Sequence, residues 1–174
     1  MRLALAVLAL AALPVVATAQ TAPTWPVRIP SSGGEVIIPS KGAQWAYDNI
    51  RFAPARRIGD TLYVSGMIAG PRDGEGTDAA AFEAQVRRAF KILDQTLKAS
   101  GASFDDVAMI NSFHVWDGPN FKGTRDDQIV VINKIKAEFI KGPHPAWTAV
   151  GTTGLLDPRG VVEIQLIAHV PARP

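Results

Sequence analysis

The segment 79–100 limits the fold more than any other part of this sequence. Phe82, Val86, Ala89, Phe90, Leu93 and Leu97 recur at steps of three and four, with Glu83, Arg87, Lys91 and Lys98 on the other side. This spacing predicts a long amphipathic helix, closed by Gly101, with one apolar stripe that needs a flat apolar partner. Strand-favouring runs stand ready on both sides of it. Residues 50–58 and 61–68 are joined by Gly59-Asp60, a tight-hairpin signal, and Asp73-Gly74-Glu75-Gly76 reads as the loop into the helix. Residues 107–115 alternate, with Val107, Met109, Asn111, Phe113 and Val115 on one side. A second helix is expected over about 120–140, opened by Gly118-Pro119 and ended by Pro143 and Pro145, with Ile129, Ile132, Ile135 and Phe139 facing inward. Two strands, 146–155 and 161–170, close the chain around the turn Asp157-Pro158-Arg159-Gly160. The order ββ, α, β, α, ββ predicts an α+β domain: one mixed sheet with two helices on a single face. The uncovered face then calls for oligomerisation, because apolar strand positions left in water would form too large a patch.

The ends of the chain are read separately. Met1-Arg2, the apolar run Leu3 to Leu13 and the small residues Ala17-Thr18-Ala19 carry the three parts of a secretory signal peptide, with cleavage after Ala19. An uncleaved anchor is the alternative, although the run is short for a membrane span. The expected location is periplasmic or secreted, with no membrane attachment after cleavage. Residues 20–43 are rich in Pro, Ser, Gly and Thr and are read as a flexible arm with one extended piece at 35–38. Such an arm holds the domain clear of a surface or packs across a neighbouring subunit. The folded domain is expected over 44–174.

The 174 residues suit one domain, and 47% hydrophobic residues suffice for a core. With no cysteine there are neither disulfides nor thiolate catalysis. A formal charge of +2 gives little attraction to phosphates, so nucleic acid is not an expected partner. His114, His144 and His169 lack metal-ligand spacing, and no metal site is expected.

Five fragments in order resemble the RidA (YjgF) family. Phe52 to Gly66 (FAPARRIGDTLYVSG) is similar to its opening hairpin, Glu83 to Phe90 to its first helix, and Gly101 to Val107 to its helix-to-strand link. Pro145 to Val150 (PAWTAV) and Val162 to Ala168 (VEIQLIA) resemble its closing P-A-R-x-x-V and V-E-I-E-x-I-A motifs. The resemblance implies a chorismate-mutase-like fold, a homotrimer with ligand clefts between subunits, and hydrolysis of reactive enamines and imines without any cofactor. It further implies that Glu163 positions and activates the attacking water, a task for a carboxylate within hydrogen-bond reach.

Trp147 stands where the family's arginine binds the substrate carboxylate. An indole offers one N–H and no charge, so the forked contact is lost, about 1.5–3 kcal/mol of binding. Trp147 either fills space or forms a stacking wall for an apolar, aromatic or cationic ligand. Ala149 falls where main-chain groups approach the ligand, Phe52 where a tyrosine is common, and Met67 where a glutamine is usual. Ser65 remains as a ligand contact or a strand serine bonded to backbone. Arg56, Arg57 and Arg159 are the cations near the hairpins that could replace the arginine; Arg57 matches a residue common in the family's hairpin and reads as lying on a solvated face. The segment 121–139 carries Lys122 to Asp127 as an insertion, and His114 reads as structural. The expected ligand is a small molecule, the expected activity an imine or enamine deaminase of altered substrate range. The alternatives are a non-catalytic trimeric binding protein and, disfavoured by charge, an endoribonuclease.

Overall fold

The computed structural model describes residues 24–171; the signal sequence read at 1–19 lies outside them. The chain forms the strands β1 (Val27–Ser31), β2 (Gly34–Ile38), β3 (Ala55–Ile58), β4 (Thr61–Ala69), β5 (Val107–His114), β6 (Ala146–Gly151) and β7 (Val162–His169). Its helices are α1 (Lys41–Ile50), α2 (Ala79–Ala99) and α3 (Arg125–Phe139). The α+β class and the mixed sheet are as the sequence predicts. The seven strands lie in the order β1-β2-β3-β4-β7-β5-β6, and β5–β6 is the parallel pair.

The helix over 79–100 is α2. Asp78 caps it by accepting from the Ala81 N–H at 2.9 Å, and Gly101 (φ 76°) ends it in the left-handed region where glycine is favoured. The six apolar residues read from the sequence are all buried, with Gln85 and Thr96 beside them. Thr124 and Asp127 form a reciprocal capping box at the start of α3, so part of the expected insertion serves to begin this helix. The inward face of α3 is Gln128, Val131, Ile132 and Ile135, rotated from the predicted stripe; Ile129 and Phe139 are only half-buried. Phe139 instead joins Phe90 and Phe104 in an aromatic cluster, at 5.3 and 5.4 Å between centroids.

The N-terminal reading needs two corrections. Residues 27–38, expected as a flexible arm, form a hairpin whose second strand pairs with β3. Val36, Ile37 and Ile38 are buried there, and the apolar triplet supplies the burial that the Pro and Gly content obscured. The strand expected from Ile50 begins only at Ala55. Residues 41–50 are helical, started by Ser40, whose hydroxyl accepts from the Ala43 N–H, and ended by Arg51 in the left-handed region (φ 65°).

Strand alternation gives the sheet two different faces. On the helix-covered face Val64, Leu166, Ile110 and Trp147 form one row, and Met67, Ile164, Ser112 and Ala149 the next. The open face carries Ile29, Val36, Arg56, Tyr63, Ile167, Met109 and Ala146 as one row across all seven strands. Further along come Gln165, Asn111 and Thr148, then Glu163, Phe113 and Val150.

Candidate functional site

Glu163 sits near the middle of the sheet on the open face, paired with Ile68 of β4 and Phe113 of β5. A side chain at Gly66 would strike it, since a Cβ there would lie 2.0 Å from Glu163 Oε1. Glycine at 66 is therefore what lets the carboxylate lie flat over β4. Its surroundings form a hollow of about 360 Å³ with Gly66, Phe113, Gln165 and the loop Thr152 to Leu156. Among the described residues no donor reaches the carboxylate, and burial alone pushes its pKa above the ordinary 4.5. A half-buried, unpaired carboxylate with a raised pKa is suited to proton transfer.

A register irregularity in β4 falls between Val64 and Met67 and brings Ser65 and Gly66 to this position. Ser65 Oγ donates to the Ala53 carbonyl at 2.6 Å and its N–H to the Pro54 carbonyl at 3.0 Å. Its hydroxyl proton is thus committed to backbone. Phe52 and Ser65 line a second cavity of about 450 Å³, which shares Gly66 with the Glu163 hollow. Three of the expected site residues, Glu163, Phe52 and Ser65, therefore gather around Gly66.

Trp147 lies elsewhere. It points to the helix-covered face and Glu163 to the open one, so within one chain they do not meet. The indole N–H donates to Ser112 Oγ at 2.9 Å, at the start of a buried polar chain. Gln128 Nε2 donates to the Val115 carbonyl at 3.0 Å, which leaves Gln128 Oε1 to accept from His114 Nδ1 at 3.2 Å. With the proton on Nδ1, His114 Nε2 accepts from the Ser112 hydroxyl at 2.9 Å, and Ser112 Oγ accepts from Trp147. Ser112, His114 and Gln128 are fully buried, and His114 stacks on Trp116 at 4.1 Å. Desolvation pulls the His114 pKa below its ordinary value, opposed by its bond to Gln128.

One indole face of Trp147 carries the chain's own cation: Lys136 Nζ lies 3.9 Å from the ring centroid. Burial lowers the Lys136 pKa, and no carboxylate pairs with it among the described residues. Ala149 is exposed on edge strand β6, opposite Ser112. Arg57 donates to the Gly59 and Val170 carbonyls, and Arg159 pairs with Asp73 at 2.9 Å. Arg56 is on the open face beside Tyr63, its Nε buried and without an acceptor among the described residues. None of these arginines is at Trp147. Sequence reasoning missed Gly66 and Lys136; the Ser-Gly pair signalled the first, and nothing in the sequence signalled the second.

The fold and the carboxylate at Gly66 define the chain as a small single-domain α+β protein of the RidA type. A family model described as endoribonuclease L-PSP matches residues 48–170. The chain is 39% identical over 130 residues to the RutC family protein YjgH of Escherichia coli K12, covering 75% of this chain and 91% of that one. The solved structure of protein YJGH is similar at a TM-score of 0.57 and 37% identity, covering 73% of this chain and 89% of the other. That of RidA from the Antarctic bacterium Psychrobacter sp. PAMC 21119 is similar at 0.54 and 27%, covering 68% and 88%. The chain belongs to the YjgF/RidA family, the family of that endoribonuclease L-PSP model.

Proposed function

We propose that the chain hydrolyses small reactive imines or enamines to a carbonyl compound and ammonia, with Glu163 as the base. The observation that carries this reading is the unpaired, half-buried Glu163 carboxylate lying over Gly66 in an open hollow. Glu163 accepts a proton from the attacking water as the new C–O bond forms at the imine carbon. The imine nitrogen takes up a proton, and the resulting carbinolamine loses ammonia as the C=O bond forms. Water supplies the oxygen, and no redox step is involved. Imines are intrinsically easy to hydrolyse, so one placed carboxylate with general-base action of about 10²–10⁴-fold suffices. The indole at 147 cannot fork onto a carboxylate, which supports a substrate range shifted away from 2-imino acids. A nuclease reading has little support, because RNA binding calls for a basic groove with stacking aromatics and the overall charge is +2.

The test mixes the protein with an imine-generating oxidase and follows ammonia release. Acceleration by the wild type that falls by about 10² or more in Glu163→Gln supports the reading. No acceleration for any carboxylated or uncarboxylated imine points instead to a trimeric binding protein that keeps the cleft without the chemistry.

A further inference from the structure

The cavity beside Ser65 has a wall that belongs to this chain rather than to the matched family span. It lies between α1 and α2, with Ala43 and Ala46 of α1 on one side, Ile92 and Leu93 of α2 on the other, and Phe52 and Met67 at its end. The family match starts at residue 48, so α1 up to Tyr47 lies outside it. Among the described residues no ionisable side chain lines the cavity. Two of its hydroxyls donate to backbone, Ser65 to the Ala53 carbonyl and Thr96 to the Ile92 carbonyl, and Ser40 accepts from the Ala43 N–H as the cap of α1. What remains is mostly apolar surface, with the Gln95 side-chain amide beside it, around about 450 Å³, within the range of small-molecule pockets of roughly 300–1,000 Å³. The pairing of β3 with β4 ends at Ala55 opposite Val64. From Gly66 onward the outer edge of β4 therefore carries no strand, and Gly66 lines both the cavity, on the helix-covered side of β4, and the hollow of Glu163, on its open side, so that this free edge is the way from one to the other.

We infer that this cavity holds the apolar side group of a neutral substrate, an aromatic or branched aliphatic imine, and presents its reactive carbon at Gly66 to Glu163. The inference rests on the deaminase reading and adds the substrate class. An uncharged lining offers a carboxylate no cation, only the Gln95 amide, and leaves most of its desolvation cost uncompensated, whereas a phenyl ring loses only water contact.

The test compares two imines made in situ by an amine oxidase and dioxygen, one from benzylamine and one from ethylamine. Ala46→Trp, on a helix with no buried residue, fills the cavity without disturbing the core. Ammonia release from the benzylamine-derived imine should fall about tenfold or more, and that from the ethylamine-derived imine by less than about twofold. In parallel, acetophenone as a neutral aromatic ketone should shift amide resonances of α1 and α2 in the wild type and in Glu163→Gln, but not in Ala46→Trp. Equal losses on both imines, or no loss on either, overturn the inference, as does acetophenone that leaves α1 and α2 unshifted. Acetophenone binding under α1 without any imine turnover keeps the cavity and removes the deaminase reading. Turnover of both imines with no binding under α1 does the reverse.

Discussion

At residue scale the buried chain from Trp147 to Gln128 is as consequential as Glu163. A proton added to His114 reverses one bond of it: Nε2 would donate where Ser112 now donates to it, and the Ser112 hydroxyl would turn to the more distant Thr148 carbonyl at 3.4 Å. The folded pKa of His114 is depressed, so the unfolded chain binds the extra proton first. The stability this histidine contributes is present above its unfolded pKa, about 6.5, and is lost as pH falls below that. His114 should make urea midpoints decline between about pH 7 and 5, and making it non-titrating should reduce that decline. Trp147→Phe removes the donor to a fully buried serine and should cost about 1–3 kcal/mol in urea unfolding. The sign differs for Glu163, whose folded pKa is raised. It favours the folded state at low pH, and that contribution is lost as pH rises past its ordinary 4.5 through the elevated value. A base must be ionised, so the acid limb of the pH–rate profile should sit above 4.5 and move with Glu163 alone. The simple repair Trp147→Arg meets an obstacle at the same scale, because it places a guanidinium beside Lys136 Nζ. It should unfold earlier than wild type, on the order of 1–2 kcal/mol, and Lys136→Met in the same chain should recover most of that loss.

Among the elements, α1 and α2 differ most. Helix α2 buries eight residues and α1 none. Local opening follows burial, so amide protons of α1 should exchange much faster than those of α2, and a ligand held between the two helices should slow α1 selectively. Equal protection in the two helices without ligand would contradict this. The contrast also explains which elements could be read in advance. The stripe of α2 was legible because burial on one face leaves a 3.6-residue period. For α1, Ala43 and Ala46 are small and half-buried, Trp45 and Ile50 point to solvent, and Ile50 to Ile58 imitates a strand run. The hairpin β1–β2 was hidden for the converse reason: prolines and glycines surround a triplet, Val36 to Ile38, that carries the burial. The α3 face was misplaced because Gln128, held by His114 and Val115, takes a core position that an apolar count does not assign to a polar residue. At the candidate site Glu163, Phe52 and Ser65 were legible from the motifs around them. The position of Trp147 on the opposite face from Glu163 was not, because it depends on the parallel pairing of β5 with β6, which local sequence does not encode.

For the whole molecule, we propose that the open face of the sheet carries the contact between copies. Tyr63 is 45% exposed, Phe113 37% and Val150 45%, and Met109 and Ile167 lie beside them on that same face. Arg56 shares the face, with a buried Nε that no acceptor within the described residues satisfies. A lone solvated sheet would place polar residues at these positions; here they are apolar, with one cation awaiting a partner. Both features are resolved if another copy covers the face and brings a carbonyl or carboxylate to Arg56. The resemblance of the motifs to RidA gives the expected number as three. Sedimentation equilibrium at micromolar concentration should then return three times the chain mass, and Phe113→Glu or Tyr63→Glu should return one, because each buries a charge at the contact. If the glutamate variants keep the wild-type mass, the subunit contact lies elsewhere; if the wild type itself is monomeric, Glu163 works in an open hollow and the substrate is enclosed by one chain alone. Loss of assembly in Phe113→Glu should also lower ammonia release, since Phe113 is the neighbour of Glu163 across β5 and β7. Tyr63→Glu, two rows away, separates the two effects: activity lost along with the trimer there means that a second subunit completes the site.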